Sequence, residues 1–141
     1  MGENVSLVLF VIIIVVALFF QFFKLEDENV KKVKLTIAPV FPEIMDLRIQ
    51  VGDKSRIYNK RDIFLKIYKS HGVPYDNNTL VYTCLHEISH IVCEKHDTSR
   101  DKHSPEFYRI FDKILDVSIA KGVFNPSIPL DKDFLDTGSV K

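Results

Sequence analysis

The chain has 141 residues, 46% of them hydrophobic, with 19 basic side chains against 19 acidic ones. That length holds one domain, and the balanced charge gives no broad electrostatic reason to expect nucleic acid as a partner. A disulfide framework is excluded as well: the two cysteines, Cys84 and Cys93, fall on one predicted helix about 13 Å apart along its axis, too far to bridge, so both should stay reduced.

From Val5 to Phe23 the chain reads VSLVLFVIIIVVALFFQFF, without a charge and with only Ser6 and Gln21 polar. About 20 apolar residues in a helix span a bilayer, and a soluble core helix would show a polar face. The stretch is longer than a typical signal core and no small-residue cleavage site follows it. Residues 1–23 are therefore expected to form an N-terminal transmembrane anchor. No Lys or Arg precedes the span, whereas Lys24, Lys31, Lys32 and Lys34 follow it. Positive flanks stay cytosolic, which predicts a single-pass membrane protein with its C-terminal domain on the cytosolic side. The opening MGENVS also matches the myristoylation pattern, although a span starting at Val5 makes a lipid there redundant. A glycosylation sequon, Asn77-Asn78-Thr79, would take glycan only in a lumenal domain.

Residues 24–34 are charged and read as a juxtamembrane linker, followed by a domain over 35–125 and a tail over 126–141. VKLTIAPVFPEIMDLRIQV, broken by Pro39 and Pro42, predicts a short strand, a turn, a helical piece after Pro42 and a strand near Leu47 to Val51. Gly52-Asp53 marks a turn. RDIFLKIYK, 61–69, alternates Ile63, Leu65 and Ile67 with Phe64, Lys66 and Tyr68, the period of a strand; such a strand could pair with an extended peptide at a sheet edge. The basic run from Arg48 to Lys69 reads as a solvated sheet face. HGVPYDNN is a loop, and a helix capped by Asn77 or Asn78 follows through TLVYTCLHEISHIVC, mostly buried along Leu80, Cys84, Ile88, Ile91 and Val92. A second helix begins at Ser104-Pro105-Glu106, with serine as cap and proline in the first turn, buries Phe107, Ile110, Phe111, Ile114 and Leu115, and stops before Gly122.

The first of these helices carries H-E-x-x-H as His86, Glu87 and His90. Residues four apart share a helix face, about 6 Å apart along the axis, so both histidines can grip one ion while Glu87 reaches a water on it. Zinc lowers the pKa of such a water towards 7, and the glutamate serves as general base. Leaving these groups buried without partners would be costly. Three protein ligands and one open position define a catalytic zinc site, and two histidines compete for the third place. His96 has the metzincin spacing, but that pattern needs a glycine where this chain has Cys93. His103 is presented at the start of the capped second helix and is the preferred ligand. His71 and Cys93 are expected to be non-ligands.

This run, H-E-x-x-H, a loop, then His103-Ser104-Pro105-Glu106-Phe107, resembles the WLM and SprT-like zinc metallopeptidases. In that group the third zinc histidine precedes a helix and is followed closely by a phenylalanine. Tyr75 to Leu80 and Ser55 to Lys60 look like WLM-like proteins of large DNA viruses, some of which carry an N-terminal membrane span. The resemblance covers about Ser55 to Gly122. It implies a small α+β, zincin-like fold, a short sheet packed on the H-E-x-x-H helix and a second helix. It also implies a Zn2+ cofactor held by His86, His90 and His103, Glu87 as base, and hydrolysis of protein or peptide substrates. Relatives act on proteins crosslinked to DNA; the membrane span here departs from that pattern, as does the length of the loop between His90 and His103. The alternative expectation is a non-catalytic, zinc-stabilised membrane or virion structural protein.

Overall fold

The computed structural model describes residues 2–22, 26–58, 61–94 and 103–132. Helix α1, Gly2–Phe22, is exposed along its length and apolar on every side, with a mean hydropathy of 2.7 over Gly2–Gln21. It is long and apolar enough to cross a membrane.

Helix α2, Glu28–Ile37, stands where the sequence reads a linker and then a strand. The β-branched residues of VKLTI favour a strand locally. The helix wins because Val30, Val33 and Ile37 recur at helical spacing and all three are buried in the core. Its N-terminus is also capped. One Asp27 carboxylate oxygen accepts from the Asn29 amide at 2.8 Å, and the other accepts from the Tyr68 hydroxyl at 2.6 Å. Burial would raise the Asp27 pKa, but hydrogen bonds from Tyr68, Asn29 and Val30 outweigh it and hold the carboxyl below its ordinary value. Lys34, counted from sequence among the positive flanks, is nearly buried and pairs with Glu26 at 2.6 Å. The folded domain thus starts well before residue 35.

A 3-10 turn over Pro42–Asp46 supplies the expected helical piece and buries Ile44. Three short strands follow: β1 (Arg48–Val51), β2 (Arg56–Tyr58) and β3 (Asp62–Leu65). Their order is β1-β3-β2, with β1 parallel and β2 antiparallel to β3. The register sets Ile49, Ile63 and Ile57 side by side, and Ile63, Leu65 and Ile67 are fully buried as the alternation predicts. The opposite face carries Arg48 and Arg56, both exposed, with the Arg56 guanidinium 5.0 Å from the Phe64 ring centre. β3 is the central strand and both its edges are taken. It cannot be the strand that pairs with a substrate; the outer strands of the sheet are β1 and β2.

Beyond β3 a hairpin returns through Gly72, whose φ of 78° suits glycine. The chain then enters α3, Asn77–Glu94. The cap is Asp76, one residue before the expected asparagines: its oxygens accept from the Thr79 amide at 3.0 Å and the Thr79 hydroxyl at 2.6 Å. The sequon is built into this helix start, with Thr79 fully buried. Helix α4, Pro105–Ala120, begins as predicted, with the Ser104 hydroxyl accepting from the Phe107 amide. Gly122, at φ 71°, follows its end. The chain then crosses the start of α3. Asn78 exchanges two 2.9 Å hydrogen bonds with the Asn125 backbone, and Asp131 pairs with Lys69 at 2.5 Å. The first residues of the predicted tail therefore belong to the domain; residues 133–141 lie outside the described residues. The architecture is α+β: α2 and α3 pack on a small three-stranded sheet and α4 packs on α3, which lies at the centre of the core. Neither Cys84 nor Cys93 is in a disulfide and both are buried; burial, with Glu87 nearby, pushes the Cys84 thiol strongly up.

Candidate metal centre

α3 places His86 and His90 one turn apart on the same side, with ring centres 4.9 Å apart. The third ring comes from the start of α4. Ser104 caps that helix and Pro105 occupies its first turn, which fixes the backbone just after His103. The His103 ring centre lies 5.2 Å from that of His86 and 5.0 Å from that of His90. The three imidazoles form a nearly equilateral triangle, and their ligand atoms all lie within 4.8 Å of one another. This group could hold a metal ion. His96, the rival third ligand, lies outside the described residues; His71 is exposed on the hairpin turn.

Phe107 explains why the triangle is compact. Its ring is fully buried, stacks on His90 at 4.3 Å, and meets His86 at 5.0 Å and His103 at 5.1 Å. One apolar ring is thus the common floor of all three imidazoles. The sequence marked Phe107 as a core position; its contact with the whole triangle arises only when α3 and α4 pack together.

Glu87 is buried and lines a cleft of about 240 Å³ together with His86, His90 and His103. The other wall is formed by Ser55, Arg56 and Ile57, at the start of β2, and by Glu94 from the last turn of α3. The sequence does not mark β2 as a strand or as part of the site. Three residues are too few for a period of two to register, and the pairing with β3 is decided by the fold.

At His86 the electrostatics favour neutral imidazole, the form that ligates metal. Burial, and then the proximity of His90 and His103, lower the His86 pKa from its ordinary 6.5 to about 4. A consequence for stability follows by linkage. Between pH 6.5 and 4 the unfolded chain protonates this residue while the folded chain does not. Protons then favour unfolding, so the metal-free protein loses stability as pH falls through that window, and His86 adds no further loss below it. Urea midpoints from pH 7 to pH 4 check this. Replacing His86 by Phe should flatten that part of the profile; an unchanged slope would show that His86 is not the group responsible.

Comparison with known proteins yields two viral relatives. The chain is 34% identical over 92 residues to the uncharacterized protein 136R of Invertebrate iridescent virus 6, covering 63% of this chain and 49% of that protein. It is 38% identical over 91 residues to the uncharacterized protein 042R of Invertebrate iridescent virus 3, covering 63% and 54%. The chain thus spans about half the length of these curated relatives. No protein-family model and no solved structure matches it.

Proposed function

We propose that this chain is a membrane-anchored, zinc-dependent peptidase of the WLM-like, zincin type, acting on proteins at the cytosolic or virion-interior surface of a membrane. The observation that carries this reading is the triangle of His86, His90 and His103 opening, with Glu87 beside it, into one cleft. The donor set suits zinc. Zinc–nitrogen bonds of about 2.0–2.1 Å in a tetrahedral site put neighbouring ligand atoms about 3.3 Å apart, and the Nε2 atoms of His86 and His103 are 3.2 Å apart. When bound there, zinc would supply Lewis acidity, polarising a carbonyl and lowering the pKa of water to about 7.

The chain's own residues supply the rest. His86, His90 and His103 hold the ion as neutral ligands. Glu87 takes a proton from the attacking water and delivers it to the departing amine. β2 is an outer strand of the sheet and its start lines the cleft, and an extended peptide can add to such a strand by main-chain hydrogen bonds. α1 keeps the reaction at a bilayer.

The test is hydrolysis of an unfolded protein substrate by the full chain in detergent micelles. Zinc-loaded protein should cleave it, chelation should abolish cleavage, and added zinc should restore it. Stable zinc binding without cleavage of any substrate in a broad peptide library would favour a structural metal centre in a membrane or virion protein instead.

A further inference from the structure

We infer that the exposed face of α2 rests on anionic lipid headgroups of the bilayer that α1 enters. The inference goes beyond the peptidase reading and depends only on its membrane anchor. Three residues, 23–25, separate the end of α1 from Glu26. Four Cα steps across that gap reach at most about 14 Å. The headgroup layer is itself about 6 Å deep on each side of the hydrocarbon, and an anionic surface acts over a Debye length of about 8 Å. The first turns of α2 therefore lie within reach of the lipid surface.

The junction is also tied down on the domain side. Glu26 pairs with nearly buried Lys34 at 2.6 Å, and Asp27 accepts the Tyr68 hydroxyl at 2.6 Å. These contacts hold residues 26 and 27 to the domain, so only residues 23–25 lie between the span and the folded unit.

α2 then divides into two faces. Val30, Val33 and Ile37 are buried in the core. Lys31, Lys32 and Leu35 point outward, Leu35 being 57% exposed. Leu35 sits one turn after both lysines. Glu28 shares the face at the positive end of the helix, where it complements the dipole. Two lysines flanking one exposed leucine, at the exit of a membrane span, match a surface of anionic headgroups with acyl chains beneath. No ion pair occupies either lysine among the described residues.

The experiment uses the full chain with Leu35→Cys carrying a fluorophore; the native cysteines are buried, so the label goes to position 35. The protein is reconstituted in vesicles of phosphatidylcholine, alone or with phosphatidylserine, containing a headgroup-attached quencher. Flotation of the vesicles reports α1 insertion separately. The expected result is quenching with phosphatidylserine that fades in high salt. In the Lys31→Gln/Lys32→Gln variant the ratio of docked to undocked label should fall about 30-fold, on the order of fivefold per lysine near such a surface. Floating protein whose label is never quenched overturns the α2 contact and leaves the anchor intact. Equal quenching in neutral vesicles at any salt overturns the ionic basis. Shielding of the label that tracks protein density rather than lipid charge overturns the inference by showing that a second copy covers the face. Protein that fails to float removes the anchor, and the inference with it.

Discussion

Glu87→Gln should leave zinc content and folding unchanged and lower peptide hydrolysis by about 10²–10⁴-fold, the range that a positioned general base contributes. The amide has the shape of the carboxylate but cannot take a proton. Glu87 is buried beside His86 on α3, and the near-isosteric replacement keeps its packing. Zinc stoichiometry, circular dichroism and single-turnover cleavage together make the measurement. Equal rates for wild type and variant would remove Glu87 from the chemistry and with it the peptidase reading.

His103→Ala should abolish stoichiometric zinc binding. The triangle loses one corner, and His86 and His90 alone leave two open positions. The clearest readout is the stabilisation that zinc confers. At free zinc about 1,000 times its dissociation constant, a folded-state ligand adds about 4 kcal/mol. Wild type should therefore show a large zinc-dependent rise in Tm, and His103→Ala close to none. His103 is half-exposed, so metal-free stability should change little. His96→Ala is the control and should keep the full zinc response. Loss of metal in His96→Ala with retention in His103→Ala would transfer the third corner of the site to His96.

How far the site could be read in the sequence depends on the range of the interactions that build it. The pairing of His86 with His90 follows from helix geometry within five residues. His103 followed from Ser104 and Pro105, a local signal that a helix begins there. The β3 alternation was legible because Ile63, Leu65 and Ile67 repeat often enough to define one face. What failed was decided at longer range. The β-branched residues near Val33 suggested a strand, and tertiary burial of Val30, Val33 and Ile37 made it a helix. β2 is too short to announce itself, and the cleft wall it forms exists only after it pairs with β3. The cap of α3 was missed by one residue because Asp76, Asn77 and Asn78 all qualify chemically. Only the carboxylate of Asp76 proves to meet Thr79.

The seat provided by Phe107 bears on how the centre would be loaded. That ring is anchored by the apolar core and touches all three imidazoles. The contacts that converge the donors are hydrocarbon contacts, which persist whether or not an ion is present. Small zinc modules in which the ion organises the fold collapse when it is withdrawn. Here the scaffold should survive stripping, so cobalt or cadmium could be exchanged into it at neutral pH without refolding, opening the centre to spectroscopy.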